Sequence, residues 1–225
     1  MQKMVVALFR RGARYPTYRQ ALCWTIPIAW LAGVIALGKT NFFFGPSPLP
    51  VSRLQTAIIL PMLLFWLFYF RVARFRHFVL SLDLTVVNAL QCWRVAGIAI
   101  LLVWAFGLLP GGFAVPMSIL DASVGVLAIL TVSWTIDRQP GWRGRVLAIN
   151  VWGFLDFFIT IALALFAGSL AIDPPVAASG YADLRALPLC VFPGFAIPFF
   201  SCLHFVVFAQ LYRLSKGDSG NQSND

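Results

Sequence analysis

Glutamate is absent from this 225-residue chain, and charged residues of every kind make up only 11% of it. That is too little charge to cover a water-exposed surface, where roughly a quarter of residues in soluble domains are charged. Without glutamate no H-E-x-x-H zinc motif can exist. The two histidines, His77 and His204, do not fall at matching depth in the topology below, so a bis-imidazole haem has no second ligand. Cys23, Cys92, Cys190 and Cys202 each sit in an apolar run without C-x-x-C spacing. They read as small reduced packers rather than a metal or disulfide framework. No cofactor and no metal are expected.

What fills the chain is apolar. The hydrophobic fraction is 60% and the mean hydropathy +0.83, against about 45 to 50% apolar residues in soluble domains. One soluble globule of this length cannot bury so much, which excludes a water-soluble enzyme. The pattern predicts an all-α polytopic membrane helix bundle. Six stretches approach the roughly 20 residues needed to cross a bilayer, near residues 20–38, 54–71, 88–109, 117–136, 146–168 and 187–212. Phe65, Trp66, Phe68 and Tyr69 give the second span an interfacial aromatic anchor.

Arginine placement predicts orientation. Lys3, Arg10, Arg11, Arg14 and Arg19 precede span 1; Arg71, Arg74 and Arg76 follow span 2; Arg138, Arg143 and Arg145 follow span 4; Arg213 and Lys216 follow span 6. The other side carries Lys39, Arg53 and Arg185, leaving Arg94 inside span 3. By the positive-inside rule both termini are cytoplasmic. The net charge of +9 is divided among these short flanks and suits anionic headgroups rather than nucleic acid.

Residues 1–214 read as one transmembrane domain and residues 215–225 as a polar, disordered cytoplasmic tail. The apolar stretch at residues 4–9 is too short for a signal-peptide core, so span 1 reads as an uncleaved anchor. Its arm and residues 73–83 both have amphipathic character. In the latter, Phe75, Phe78, Val79 and Leu82 recur at helical spacing, predicting an interfacial helix. Residues 110–116 read as a short loop joining antiparallel spans 3 and 4. Residues 39–53, with Pro46, Pro48 and Pro50, read as an extended segment folding back on the interface, and 169–186 as a second long external loop. GFAVP (residues 112–116) and GFAIP (194–198) look like a repeat, but read as chance, one in a loop and one inside a span.

Ionisable residues at hydrocarbon depth carry the functional signal, each costing on the order of 2.5 to 3.5 kcal/mol unless partnered. Counting 1.5 Å per residue, Arg94, Asp156 and His204 fall within roughly 5 Å in depth. Gln91 lies one turn below Arg94, and Asn150 nearer the cytoplasm. Asp121 falls closer to the outside. Small residues follow Asp121 at Gly125 and Ala128. Gly153, Asp156, Thr160, Ala164 and Gly168 form a second narrow stripe, so these carboxylates face protein. Pro27, Pro61, Pro193 and Pro198 lie within spans, and a bend in span 6 would free carbonyls near Ser201 and His204.

The stretches Arg94-Val-Ala-Gly97, Gly107-Leu-Leu-Pro110-Gly-Gly-Phe113-Ala-Val-Pro116 with Asp121, Asn150-Val-Trp-Gly153-Phe-Leu-Asp156, and Pro193 to Pro198 followed by His204 resemble a group of uncharacterised bacterial multi-pass membrane proteins. The resemblance covers roughly residues 90–212 and implies an inner-membrane location without a settled activity.

Three uses of the polar residues stay open. An Arg94–Asp156 pair would fasten spans 3 and 5. The same groups, with His204, Gln91 and Asp121, would bind or conduct a small solute or ion. Asp121 or Asp156 would serve as acid or base in a lipid-modifying enzyme. The leading expectation is a non-enzymatic protein binding or conducting a solute or ion. The alternative is an accessory or scaffold subunit with a membrane-protein partner or a second copy of itself.

Overall fold

The structure is a computed structural model that describes residues 17–166 and 184–222, with side chains over 25–163 and 184–215. The arm before residue 17, the side chains of Cys23 and Ala164, Gly168, and the loop over 169–183 lie outside the described residues. Among the described residues the chain is helical and has no strand. In order come α1 (Thr17–Lys39), a 3-10 turn (Phe42–Phe44), α2 (Arg53–Arg71), α3 (Ala73–Ser81) and α4 (Leu84–Leu90). A 3-10 segment (Gln91–Ala99), α5 (Ile100–Ala105), α6 (Gly111–Asp137), α7 (Trp142–Phe166), a π-turn (Phe192–Ala196) and α8 (Ile197–Gln222) follow. Five segments are long and apolar enough to cross a membrane: Arg53–Arg71, Leu84–Ala105, Gly111–Asp137, Trp142–Leu163 and Phe192–Ser215. Thr25–Lys39 of α1 is apolar but shorter.

α6 is a central element, packing on the 3-10 segment, α4, α5 and α7. Its buried residues, Phe113, Ala114, Met117, Ser118, Asp121, Val124, Gly125, Ala128, Thr131, Val132 and Thr135, recur every three or four positions. That is the stripe a straight α-helix turns toward its neighbours. α2, by contrast, buries none of its residues. It is started by a capping box in which Gln55 N donates to Ser52 Oγ and Ser52 N donates to Gln55 Oε1. Its aromatic end meets α8 edge-on, with Tyr69 and Phe65 rings 4.9 and 5.7 Å from Phe205.

The third span departs from α geometry where its polar residues fall. Nine residues, Gln91–Ala99, wind as a 3-10 helix, well beyond the three or four usual for that form. At three residues per turn, side chains at i and i+3 eclipse, so Asn88, Gln91, Arg94, Gly97 and Ile100 share one line. All but Gly97 are buried. A regular α-helix would rotate Gly97 away from α6.

α3 lies where the amphipathic spacing predicts a helix. Its Val79 is fully buried, and Gln210 of α8 donates to the Val79 and Leu82 carbonyls at 3.1 and 2.9 Å, satisfying acceptors at the end of α3. Asp83 caps α4 by accepting from the Thr85 and Val86 backbone N–H groups. Residues 39–53 are not simply extended. They close on Phe43, buried with Val34 and Cys190, while Arg53 Nη1 donates to the Phe42 carbonyl and Arg53 Nε to that of Pro46.

Two sequence expectations are corrected at the ends of helices. Residues 111–116 are not a loop but the opening turns of α6. Gly-Gly and Pro116 read as punctuation, at about 1 kcal/mol lost per helical glycine. Burial of Phe113, Ala114 and Met117 against Ile100 and Leu109 outweighs that preference. GFAVP and GFAIP therefore occupy like positions, each opening a membrane-length helical segment, and Phe192 packs against the Phe113 and Met117 cluster. Span 6 opens with the π-turn, which carries Pro193, and Ser201 Oγ donates back to the Ile197 carbonyl at 2.8 Å.

Candidate functional site

Arg94 projects from the 3-10 segment into the middle of the bundle, 1% exposed. Its Nε donates to Asp121 Oδ1 of α6 at 2.6 Å, and its Nη2 to Asp156 Oδ2 of α7. Nη1 donates to the Gly153 carbonyl of α7 at 3.0 Å and meets His204 Nε2 of α8 at 2.9 Å. Its guanidinium carbon sits 4.3 Å from the centre of the Phe157 ring, a cation–π contact in a desolvated setting. One side chain thus joins four helical segments.

A guanidinium is a donor only. Facing it, His204 Nε2 must accept, which places the imidazole proton on Nδ1. Nδ1 then donates to Asn150 Oδ1 at 2.9 Å. Asn150 Nδ2 donates in turn to Asn88 Oδ1 at 3.0 Å and to the Val146 carbonyl at 2.9 Å, and Asn88 Nδ2 to the Leu84 carbonyl at 2.8 Å. The result is a hydrogen-bonded line of one polarity, from Arg94 through His204, Asn150 and Asn88 to the backbone of α4.

Three glycines make room for it. A Cβ at Gly97 would run into the Asp121 carboxylate. One at Gly125 would run into the Val95 backbone and side chain, and one at Gly153 would lie 2.6 Å from His204 Cε1 and 2.8 Å from Val124. Between membrane helices such small residues allow the close approach that packing requires.

The sequence-derived residues are therefore brought together in part. Arg94, Asp156 and His204 meet as their common depth suggests, and the expected Arg94–Asp156 pair is formed. Asp121 is not nearer the outside but bonded directly to Arg94. Because α6 begins at Gly111, Asp121 lies ten residues into it, about 15 Å along the axis. Gln91 shares the buried line, yet its amide nitrogen and oxygen have no partner among the described residues, so it borders the cluster without joining it. Sequence reasoning left out Asn88, although N-x-x-Q-x-x-R-x-x-G over residues 88–97 is a polar pattern of period three that marks the 3-10 face.

Chemically the cluster spends most of its donors on itself. Four of the five guanidinium N–H groups have acceptors within the protein. Each carboxylate spends an oxygen on Arg94, and the Thr160 hydroxyl lies 3.4 Å from Asp156 Oδ1. Among the described residues no group of three His, Cys, Asp or Glu side chains gathers to hold a metal ion.

Residues 51–212 match the model of a domain of unknown function, DUF8737. The chain belongs to the DUF8737 family. The DUF8737 stretch opens just before the Ser52 cap of α2 and takes in every residue of the cluster, from Asn88 to His204, while leaving α1 outside. No curated protein and no solved structure matches the chain.

Proposed function

We propose that this DUF8737 protein is a non-enzymatic, six-span inner-membrane protein with cytoplasmic termini that serves as an accessory or scaffold subunit of a membrane complex. In this reading the Arg94 cluster is a clamp. The observation that carries it is that acceptors from three other helices take up four of the five Arg94 N–H groups. A site that captures an anionic solute keeps most of its donors for the solute, whereas a clamp spends most of them on its own helices. Removing one partner of a buried ion pair costs about 3 to 5 kcal/mol, so the cluster penalises any separation of these helices. α2, with none of its residues buried, offers an outer face to lipid, to a partner subunit or to a second copy. Native mass spectrometry of the protein extracted with its surrounding lipid tests this: a co-purifying subunit or a homo-oligomer supports it, and a bare monomer that exchanges a labelled solute across vesicles contradicts it.

One observation favours a second reading, an ion-binding protein. Two carboxylates share one guanidinium, and His204, as an acceptor from Arg94, is neutral. With both acids ionised, the layer holds one uncompensated negative charge, which a proton or a small cation would balance. A melting temperature that rises with sodium or lithium but not with choline supports this alternative.

A further inference from the structure

The two acids bonded to Arg94 meet it along one edge. The Nε and Nη2 N–H groups of a guanidinium point the same way, and that edge ordinarily receives both oxygens of a single carboxylate. Here it receives one oxygen from each of two, Asp121 Oδ1 on Nε and Asp156 Oδ2 on Nη2. The carboxylates therefore stand side by side, and both are buried. Two buried anions that close do not both stay ionised, because each makes the other harder to charge. The rest of the layer offers little relief. Arg94 of the 3-10 segment brings one positive charge, and His204 of α8 is neutral as an acceptor from Nη1. Among the described residues no second cation is paired with either acid.

A metal cation shared by both acids fits this arrangement poorly, because their free oxygens face different elements. Asp121 Oδ2 lies against Gly97 of the 3-10 segment, where a Cβ would collide with it, and Asp156 Oδ1 faces the Thr160 hydroxyl of its own helix, α7, at 3.4 Å. A proton needs only one of these oxygens. On Asp156 Oδ1 it is donated to Thr160 Oγ1, whereas Gly97 has no side chain to receive one from Asp121. We infer, resting on the same charge count as the ion-binding reading, that Asp121 and Asp156 form a one-proton binding site. In it Asp156 is the neutral acid, its O–H directed at Thr160, and Asp121 is the anion paired with Arg94. The layer then carries no net charge, as hydrocarbon depth favours.

Infrared spectroscopy of the full chain in lipid nanodiscs at neutral pH reads a protonated carboxyl through its carbonyl stretch. Subtracting spectra of protein grown with and without carbon-13 aspartate removes the lipid ester carbonyls, and with no glutamate in the chain every side-chain carboxyl is labelled. The wild type is expected to show a carboxylic-acid band, and Asp156→Asn to lose it. Asp121→Asn is expected to lose it too, since the remaining acid then pairs alone with Arg94 and ionises; burial acting on Asp156 by itself would leave the band in place. Thr160→Val keeps both acids and is expected to keep the band at a shifted frequency, and it carries the test should Asp121→Asn fail to fold. No acid band in the wild type, a band that survives Asp121→Asn, or one that Thr160→Val leaves unmoved would overturn the one-proton site. Melting in sodium against choline separates the two ideas: a wild type that lacks the band but is stabilised by sodium keeps the ion-binding reading and loses this one.

Discussion

His204 Nε2 lies 2.9 Å from Arg94 Nη1, a contact that permits donation in one direction only. The imidazole is thereby held neutral, with its proton on Nδ1 and aimed at Asn150. Nitrogen-15 NMR of labelled histidine is expected to show His204 as the neutral Nδ1-protonated tautomer. An imidazolium signal would contradict the network.

The same contact sets the cost of losing the ring. In His204→Leu, an Arg94 N–H and Asn150 Oδ1 both lose a buried partner, at about 1 to 3 kcal/mol each. Asn150→Leu breaks the same line one step further on. Because the two changes act on one line, the double variant is expected to lose less than the sum of the singles, with a coupling of about 0.5 to 3 kcal/mol. Unfolding in detergent–lipid mixtures measures all three; strict additivity would mean that the residues act separately.

Gly125 and Gly144 give opposite expectations for one substitution. At Gly144 a methyl group meets open space, and Gly144→Ala is expected to stabilise by about 0.5 to 1 kcal/mol through helix propensity. At Gly125 the methyl collides with the Val95 backbone, so Gly125→Ala is expected to destabilise by about 1 to 3 kcal/mol, the usual cost of overpacking. Thermal melts of the two variants decide it.

Arg53 closes the connection between α1 and α2. It donates to two carbonyls and lies 4.4 Å from the Phe42 ring centre. Arg53→Met removes these ties while keeping the apolar stem. Faster proteolysis within residues 45–51 is expected, with the melting of the remaining bundle little changed.

The five membrane-length helices were readable from hydropathy, and the meeting of Arg94, Asp156 and His204 from counting residues along them. The helix at Ala73–Ser81 followed from spacing alone. Three features were not readable, for separate reasons. The glycines and proline of residues 111–116 have poor local propensity, which the burial of Phe113 and Met117 overrides, and that error displaced Asp121 by about two helical turns. The 3-10 winding of Gln91–Ala99 was obscured by counting at 3.6 residues per turn, although Asn88, Gln91, Arg94 and Gly97 repeat at three. The line through Asn150 to Asn88 depends on which helices face one another, and this is a property of the folded bundle.

Thermal melting of Arg94→Met beside the triple variant Arg94→Met, Asp121→Asn, Asp156→Leu, each in lipid nanodiscs, is the most direct measurement of the clamp. The triple set keeps an isostere at position 121, where Gly97 leaves no further room, and exchanges the remaining charges for apolar volume. A clamp requires Arg94→Met to lose about 3 to 5 kcal/mol by stranding two buried acids, and the triple variant to regain most of that loss. A single variant as stable as the wild type, or a triple variant no better than the single, would show that these charges do not hold the helices together.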